Sequence, residues 1–406
     1  MKRFSNLYKI GVSWFLAVPL VWFTGLASAW AEEGGGSAIS AGDTAWVLTS
    51  SALVLAMIIP GLALFYGGMV RSKNVLSTMM HSFIAVCIVS VIWVCWGYSF
   101  AFGSDFAGLI GGLEWVGLTG VGGEPTEGST IPHAAFMVFQ LMFAGITVAL
   151  ISGAIAERMN FAAFVAFAAL WVTFIYAPLA HWVWGGGWLG GMGDLDFAGG
   201  TVVHISSGVA ALACALVLGK RHGYGSENMS PHNLPFTIIG ASLLWVGWFG
   251  FNAGSALAAN GLAANAFVAT HIATAAGALG WLGVEWNYRG KPTMLGVASG
   301  AVAGLVAITP AAGYVGPISA MIIGVGGGVI CYLVVFSSMG GGTGLFFGNP
   351  GQVLIQAIGV GATWAFSFAG TFIILKVVDG TIGLRVSKED EILGLDLTQH
   401  RERAYG

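Results

Sequence analysis

Ten apolar segments make up most of the chain, and short polar or glycine-rich connections separate them. Each segment holds about 20 or more residues with few charges, which is enough to cross a hydrocarbon core about 30 Å thick as an α-helix. The pattern therefore predicts an all-α, polytopic membrane helix bundle. The segments span residues 44–68, 79–103, 131–155, 162–184, 199–219, 234–254, 263–286, 294–314, 316–336 and 351–378.

The basic residues fall in every second connection between these segments. Lysine and arginine concentrate in the cytoplasmic loops of membrane proteins, so these connections are predicted to be cytoplasmic. They contain Arg71 and Lys73, Arg158, Lys220 and Arg221, and Arg289 and Lys291. The intervening connections have no lysine or arginine and are predicted to lie outside: residues 104–130, 185–198, 255–262 and 310–317.

This alternation fails after the ninth segment. Residues 310–317 and 337–350 both lack lysine and arginine and both predict an extracytoplasmic loop, yet only the segment 316–336 separates them. A single span cannot begin and end on the same side of a membrane. Three explanations are open: 316–336 is re-entrant, 337–350 is not extracytoplasmic, or a span is absent between Phe336 and Ser337.

The N-terminus has the features of a secretory signal peptide. Lys2, Arg3 and Lys9 precede an apolar stretch that ends near Leu26, and small-x-small cleavage patterns follow it. We expect residues 1–31 to be removed and the mature N-terminus to lie outside. The alternative is an uncleaved first span.

Composition supports a membrane protein and argues against other classes. The 406 residues are 56% hydrophobic and 8% charged, which is too few charges for a soluble surface. A formal net charge of -3 without a basic stripe gives no indication of nucleic-acid binding. The sequence contains no H-E-x-x-H, P-loop or nucleophile-elbow motif. Neither an enzyme nor a metal or cofactor is therefore predicted.

One stretch places ionisable groups in an otherwise apolar, glycine-rich region. His204 follows Asp196 by eight residues, and polar groups buried in lipid are unfavourable by several kcal/mol unless they are partnered. A helix that begins near Asp196 would carry His204 roughly 12 Å along its axis, near the middle of the bilayer. Asp196 is therefore predicted to cap that helix. His204 is predicted to line a pore or, alternatively, to bond a neighbouring helix as a packing residue.

Several aromatic residues and one hydroxyl are predicted to meet near the outer face. Trp184 ends the fourth segment, Phe251 and Ser255 lie at the end of the sixth, and Phe139 lies in the outer half of the third. Such a cluster can hold a small cation through the ring quadrupoles and one hydrogen bond, with about 0.5 to 2 kcal/mol from the cation–π contact. The alternative is a set of ordinary interfacial aromatics, which are enriched at membrane boundaries.

Other polar residues are predicted to be structural. Glu157 beside Arg158, and Glu285 near Arg289, lie at cytoplasmic ends of apolar segments. We expect each acid to form a local ion pair with that arginine rather than to bind a ligand.

Seven motifs resemble those of the Amt/Mep/Rh family of ammonium transporters, and the resemblance extends from about Asp43 to Tyr405. In sequence order the motifs are PGLALFYGG (60–68), GAIAER (153–158), HWVWGGG (181–187), DFAGG (196–200) with His204, WFGFNAGS (248–255), ITPA (308–311) and GLRV (383–386).

The resemblance implies roles for the outer aromatic residues. Phe139, Trp184 and Ser255 would form the site that recruits NH4+ from outside. Phe143 and Phe251 would be the stacked rings that close the pore below that site.

The resemblance also makes His204 one of two histidines along a narrow apolar conduit, and Asp196 an acid that supports the site without binding the substrate. A charged ammonium is unfavourable in a low-dielectric pore unless its proton is separated or its charge is balanced. We therefore expect a neutral His204 that exchanges hydrogen bonds with passing ammonia. Family members carry the second histidine in a Phe-Gly-x-His-Gly-type motif, and this sequence has none. The absent stretch is about one span, between Phe336 and Ser337, where the charge pattern also fails.

The fold implied by the resemblance is two inverted five-helix repeats plus a long final helix, here with one helix missing. The membrane domain would occupy residues 32–378 and a cytoplasmic tail residues 379–406. The family further implies insertion in the inner (cytoplasmic) membrane, a homotrimer, and a PII-type regulatory protein as a partner at the cytoplasmic face.

Three functions are compatible with these features. The first is transport of ammonium or ammonia through a narrow apolar pore. The second is a non-conducting ammonium sensor or a defective relative that keeps the recruitment site but lacks the second pore histidine. The third, a water or gas pore, has the least support, because nothing in the sequence resembles a paired half-helix water signature.

Overall fold

The computed structural model describes residues 39–336 and 350–405. Within these ranges ten helices follow the order of the ten apolar segments, and nine are long and apolar enough to cross a membrane. The helices are α1 (Ala41–Met69), α2 (Ser72–Phe102), α3 (His133–Ile155), α4 (Phe161–Gly191, interrupted at 185–187), α5 (Gly200–Leu218), α6 (Leu234–Gly254), α7 (Gly261–Arg289), the shorter α8 (Met294–Ile308), α9 (Pro317–Phe336) and α10 (Pro350–Thr381). The predicted signal peptide and Ser337 lie outside the described residues.

Polar residues begin several of these helices. The side chains of Asn160, Asn233, Asn260 and Thr293 accept backbone N–H donors in the first turns of α4, α6, α7 and α8. These acceptors satisfy donors that a helix start leaves free. A capping asparagine or threonine therefore indicates where each of these four helices begins.

Four helices contain a wider π-helical turn: Met57–Leu62 in α1, Trp93–Gly97 in α2, Val172–Tyr176 in α4 and Gly200–Ile205 in α5. Pro60 lies within the first of them. Proline has no backbone N–H, and the wider turn is a way for a helix to continue past the missing hydrogen bond.

The loop between α2 and α3 contains a short antiparallel hairpin, β1 (Asp105–Phe106) and β2 (Ile110–Gly111), in which Asp105 faces Gly111. His181 on α4 bonds Asp105 through Nε2 at 2.8 Å. This contact fixes the loop between α2 and α3 to α4.

The helices of each half pack mainly within that half. In the first half α2 contacts α3 and α4, and α3 contacts α5. In the second half α7 contacts α8 and α9. Helix α6 crosses between the halves by packing along α1, and α10 lies against α4 and α5. The largest fully buried side chains include Trp93, Trp171, Tyr176, Phe139 and Phe143, which places the core in the first half and at its boundary with α6.

The tail after α10 forms two short helices, α11 (Lys388–Leu393) and α12 (Leu395–His400). The backbone N–H of Leu395 donates to Asn74 Oδ1 at 2.8 Å, and Asp396 Oδ1 accepts from the N–H of Ser77 at 2.8 Å. The tail is therefore bound to the start of α2, on the side where Arg71 and Lys73 predict cytoplasm.

Two sequence predictions about helix limits need correction. The segment 294–314 is helical only to Ile308, because Pro310 follows and the chain turns through Ala311 and Tyr314. The helix expected to begin near Asp196 begins at Gly200.

The predicted ion pair between Glu157 and Arg158 is wrong. Glu157 has a left-handed φ of 66°, a conformation that is uncommon for residues with a side chain. Its carboxylate accepts from the N–H and the Nε of Arg71 at 2.8 Å each and lies 3.5 Å from Arg221. Arg158 instead donates to the carbonyls of Ala154 and Gly219.

The second predicted pair is confirmed. Glu285 Oε1 lies 3.7 Å from Arg289 NH1, one helical turn away. Glu285 also accepts from the N–H of Thr293 at 3.0 Å, so this acid joins α7 to the start of α8.

Candidate functional site

The outer aromatic residues line one cavity of about 420 Å³, here called the vestibule. Of the predicted site residues, the cavity is lined by Phe139, Phe143, Trp184, Asp196 and Ser255. Its remaining walls are Phe136, Gln140, Val183, Phe197, Leu257 and Tyr314. The cavity thus brings together side chains from α3, from α4 and from the residue that follows α6.

Two polar side chains in the vestibule, Trp184 and Ser255, are held in place by hydrogen bonds to nearby backbone carbonyls. Trp184 donates through Nε1 to the carbonyl of Asp196 at 2.9 Å. The hydroxyl of Ser255 donates to the carbonyl of Phe251 at 2.8 Å, which leaves its oxygen lone pairs available to accept. The indole and the hydroxyl therefore have set positions before any ligand enters.

The floor of the vestibule is a pair of stacked rings. Phe143 and Phe251 lie 4.2 Å apart between centroids with planes 20° apart, and both are at most 1% exposed. Phe139 contacts Phe143 edge-on at 4.9 Å, and Trp184 contacts it edge-on at 5.9 Å. These contacts hold the stack from the side of the first half.

His204 lies directly behind the stack. Its ring is 5.8 Å from Phe251 and stacks on Trp248 at 5.3 Å. Nδ1 lies 3.0 Å from the carbonyl of Gly199. Because a carbonyl only accepts, Nδ1 carries the proton in this bond, and in a neutral ring Nε2 is then an acceptor.

Asp196 caps α5 with its whole carboxylate. Oδ1 accepts from the N–H groups of Gly199 and Gly200 at 2.8 and 2.5 Å, and Oδ2 from those of Thr201 and Val202 at 2.8 and 2.9 Å. Burial raises the pKa of Asp196 above its ordinary 3.8, and these four donors act in the opposite direction. With both oxygens bonded to the backbone, the carboxylate supports the helix start and is not offered to the cavity.

Gly199 makes this cap possible. Its φ is +102°, a region that residues with a side chain rarely adopt, and a Cβ there would stand 2.6 Å from Val203. The turn folds Asp196 back over the first N–H groups of α5. The glycine is therefore required by geometry and not only by close packing.

The site lies where the two halves meet. The N–H of Phe197 donates to the carbonyl of Pro310 at 3.1 Å, which ties the loop before α5 to the loop after α8. Trp248 donates through Nε1 to Thr309 Oγ1 at 2.9 Å. The histidine and its stacking partner are thus positioned by both halves.

The contributors to the site that were not assigned a role from the sequence include Trp248, Tyr314 and Phe197. Trp248 belongs to a quoted motif, but its stacking on His204 requires α5 and α6 to be adjacent. Tyr314 and Phe197 line the vestibule and contact each other edge-on at 5.6 Å. An aromatic shortly after the Ile308–Ala311 motif is the signal that could have indicated Tyr314.

Tyr314 also reports the charge near the vestibule. Burial, then the negative charges of Asp196 and Asp194, raise the pKa of its phenol. Within the described residues no group of three or more histidine, cysteine or acidic side chains could hold a metal ion.

These features define a class: a polytopic helical membrane protein with an aromatic outer vestibule, a ring stack beneath it and a histidine behind the stack. The family model described as "Ammonium Transporter Family" matches residues 45–341 and 335–405. The chain belongs to the ammonium transporter family.

Individual relatives agree with this assignment. An ammonium transporter of Bacillus subtilis is 51% identical over 401 positions, covering 90% of this chain and 98% of that protein. The crystal structure of Candida albicans Mep2 superposes with a TM-score of 0.80 at 35% identity, covering 90% of this chain and 91% of that chain. A structure named "Sensor Amt Protein" gives 0.77 at 28% identity, with 88% and 98% covered.

The family model matches this chain in two pieces that overlap at residues 335–341. The alignment to the B. subtilis protein has 401 positions but covers 90% of the 406 residues here, about 365, so about 36 positions have no counterpart in this chain.

Proposed function

We propose that this protein transports ammonium or ammonia across a membrane, entering through the vestibule. One observation carries the proposal: Phe139, Trp184 and Ser255 line a single cavity, its floor is the Phe143 stack, and His204 lies behind that floor. The cavity that would recruit ammonium is therefore next to the ring stack, and the ring stack is next to His204.

The vestibule suits a small cation that can donate hydrogen bonds. Phe139 and Trp184 offer ring faces and edges, and the Ser255 oxygen can accept because its proton is already donated to Phe251. Cation–π contacts contribute about 0.5 to 2 kcal/mol, more as water is excluded. Ammonium meets both requirements, because it has a positive charge and N–H donors.

The stack and His204 suit a neutral species below the vestibule. The Phe143 and Phe251 rings give no hydrogen bond to replace the water around an ion, so passage of the charge is unfavourable there. Ammonia needs far less hydration. Nε2 of His204, as an acceptor, can receive a hydrogen bond from ammonia once it passes the rings.

A second candidate, a non-conducting ammonium sensor or defective relative, is favoured by the connection between α9 and α10. Near its end, α9 packs through Tyr332 on Trp281 and Tyr288, toward the cytoplasmic end of α7. In the first turns of α10, Gln356 bonds the backbone of Leu195 at 2.9 and 3.0 Å in the extracytoplasmic loop before α5. The two helix ends therefore lie at opposite faces.

Phe336 and Pro350 are separated by 13 residues of sequence, which lie outside the described residues. A spanning helix needs about 20 residues, and backbone that crosses lipid without internal hydrogen bonds is strongly unfavourable. The two-piece family match and the about 36 unmatched positions support the absence of one helix between Phe336 and Ser337, together with its histidine. We therefore propose that the outer site is complete and that conduction by this chain is weak.

We further propose a multi-pass protein of the inner membrane, with residues 1–31 removed as a signal peptide and the mature N-terminus outside. The family resemblance supports a homotrimer and a PII-type partner at the cytoplasmic face, where the tail (379–406) binds α2 and α5. Light scattering of the purified protein tests the trimer.

Calorimetric titration with ammonium, with potassium as a control, tests the site. Potassium has the same charge and a similar radius but no N–H donors, so we expect ammonium to bind the purified chain more tightly. Binding that does not distinguish the two ions would contradict the assignment of Ser255 and the aromatic rings. This test is independent of whether the chain conducts.

A further inference from the structure

The ring of His181, in the turn of α4 that ends at Trp184, is completely buried and bonded at both nitrogens. Nδ1 lies 3.1 Å from the carbonyl oxygen of Ala101, and Nε2 lies 2.8 Å from Oδ1 of Asp105. A carbonyl and a carboxylate only accept hydrogen bonds, whereas a neutral imidazole has a single N–H. Only a doubly protonated, positively charged ring can donate both bonds at once.

The contacts of Asp105 oppose the other arrangement, in which a protonated acid donates to a neutral ring. Both carboxylate oxygens accept from the N–H of Gly108, at 2.9 and 3.0 Å, and 43% of the side chain is exposed to water. The hydrogen bond from His181 is the largest influence on this acid, and it lowers the pKa of Asp105 below the ordinary 3.8. Asp105 is therefore a carboxylate at neutral pH, and His181 is its counter-ion.

Other titratable groups of this region have partners of their own. Glu114, in the same loop as Asp105, accepts from the hydroxyl of Ser104 at 2.6 Å. His133, at the start of α3, bonds the hydroxyl of Tyr98 at 2.6 Å. Residues 104–130 and 185–198 contain no lysine or arginine that could replace His181 as the cation.

Two neutral hydrogen bonds join the β1–β2 hairpin to α4 beside this charged pair. Trp182 donates through Nε1 to the carbonyl of Leu109 at 2.8 Å, and the N–H of Trp188 donates to the carbonyl of Gly108 at 3.1 Å. Gly108 has a φ of +74°, and a Cβ there would lie 3.2 Å from Cβ of Trp188. A charge-assisted hydrogen bond is roughly twice as strong as a neutral one, so the charged pair is the strongest of these contacts.

The same pair supports the turn that carries Trp184 of the vestibule. Trp184 follows His181 by three positions, which is less than one helical turn. The carbonyl of His181 accepts from the N–H groups of Gly185 at 3.0 Å and Gly187 at 2.9 Å. A Cβ on Gly185 would lie 2.7 Å from Nδ1 of His181, so the ring fills the space beside this turn. A shift of His181 would therefore shift the backbone that orients the Trp184 indole.

We infer that His181 is an imidazolium cation at neutral pH, and that its pair with Asp105 holds the β1–β2 hairpin on α4 and thereby positions Trp184. His181 is a positioning residue, because the residues that line the vestibule include Trp184 and not His181. The effect on ammonium binding rests on the proposed function, whereas the charge of the ring does not.

Solid-state NMR of the full chain, labelled with [15N]histidine and reconstituted in liposomes, tests the charge. We expect one histidine with two protonated ring nitrogens at neutral pH. In Asp105→Asn the side-chain amide can donate to Nε2, so the same histidine should become neutral with an unprotonated Nε2, and this change assigns it to His181. Glu114→Gln is the matched control in the same loop and should leave these signals unchanged. The inference is wrong if no histidine is doubly protonated, or if none changes in Asp105→Asn.

Calorimetric titration with ammonium tests the positioning role. Asp105→Ala removes the hydrogen bond together with the charge, and we expect weaker ammonium binding. The loss should be smaller than the roughly 2- to 30-fold expected without the Trp184 ring, because the ring is still present. Asp105→Asn keeps a hydrogen bond to His181 and should restore the affinity, and Glu114→Gln should not change it.

The outcomes separate this inference from the proposed function. Equal ammonium affinity of Asp105→Ala and the unmodified chain, with normal secondary structure in both, would overturn the positioning role. An unmodified chain that binds ammonium no better than potassium would instead contradict the proposed function, and the NMR result would still decide the charge of His181.

Discussion

The two halves of the bundle are packed with different kinds of residue. In the first half the interior is filled by large aromatics: Trp93, Tyr98, Phe164, Phe167, Trp171 and Tyr176. In the second half α7, α8 and α9 approach through Gly277, Gly300, Gly304 and Gly328, where added Cβ atoms would meet backbone atoms of the facing helices. Small residues let helix backbones approach closely in lipid.

This difference explains where the site lies. Phe139, Phe143 and Trp184 come from the aromatic half, and Phe251 and Ser255 come from α6, which packs along α1. The glycine-packed helices supply backbone support through Thr309 and Pro310 and few side chains to the vestibule. The first half also has a fifth helix, α5, whereas no described helix between α9 and α10 corresponds to it.

The largest effect is expected from the glycine-packed half. In Gly277→Ala the new Cβ would lie 2.6 Å from the carbonyl oxygen of Gly300 and 2.8 Å from Cα of Gly304, and backbone cannot yield as a side chain can. We expect a loss of about 1 to 3 kcal/mol in the free energy of unfolding. Gly283→Ala on the same helix has open space within 4 Å and is the matched control. Equal melting temperatures would contradict the close-packing account.

A smaller loss of stability is expected in the aromatic half from Asp196→Ala. Four N–H groups of α5 would lose their acceptor in an apolar setting, and a lost cap typically lowers stability by about 0.5 to 2 kcal/mol. Asp196→Asn keeps one acceptor oxygen and should be intermediate. The measurement is thermal unfolding together with the yield of folded protein. Normal stability of Asp196→Ala would show that the cap is dispensable.

Trp184→Leu should weaken the binding of ammonium in the vestibule. Loss of a cation–π contact of about 0.5 to 2 kcal/mol lowers affinity by roughly 2- to 30-fold. The control is Trp188→Leu, because Trp188 packs on Trp182 outside the vestibule lining. Titration of both variants with ammonium gives the comparison. An unchanged affinity in Trp184→Leu would remove the ring from the site.

The smallest effect concerns Asp194, whose carboxylate oxygens are buried without a hydrogen-bond partner among the described residues. Burial, and then Asp196, raise the pKa of Asp194 to about 6 from 3.8. The folded state thus holds this proton more tightly than the unfolded state, so stability falls as pH rises from 3.8 to 6 and stays lower above 6. Asp194→Asn should therefore melt higher than the unmodified protein above pH 6, with the difference vanishing near pH 4. A difference in melting temperature that does not change with pH would contradict the raised pKa of Asp194.

Much of the fold could be predicted from the sequence, because a helix that crosses lipid needs about 20 consecutive apolar residues. The segment 162–184 and the helix portion that ends at Trp184 agree closely, as do 199–219 and Gly200–Leu218. Length and apolarity decide such spans with no knowledge of neighbours. The end of α8 at Ile308 was missed, because Ala311 to Tyr314 are apolar enough to extend the pattern although the chain turns there.

The site could be predicted only in part, because some of its contacts are local in sequence and others join distant helices. The cap by Asp196 is local, so its residue type and spacing indicated it. The partners of Glu157 lie 86 and 64 positions away, at Arg71 and Arg221, and no local pattern indicates them. The stacking of Trp248 on His204 is also a contact between two helices, and no local pattern indicates it. Local chemistry could be inferred from sequence, whereas contacts between helices required the packed structure.

We propose that the recruitment site of this chain is complete while its conducting path lacks one helix. Ammonium uptake into liposomes, followed by an internal pH dye, tests this proposal with the unmodified 406-residue chain beside a variant that carries a family-type helix after Phe336. We expect uptake near background for the unmodified chain and robust uptake for the completed variant, with His204→Leu in that variant reducing it. Robust uptake by the unmodified chain would contradict the claim and would show that His204 alone suffices for conduction.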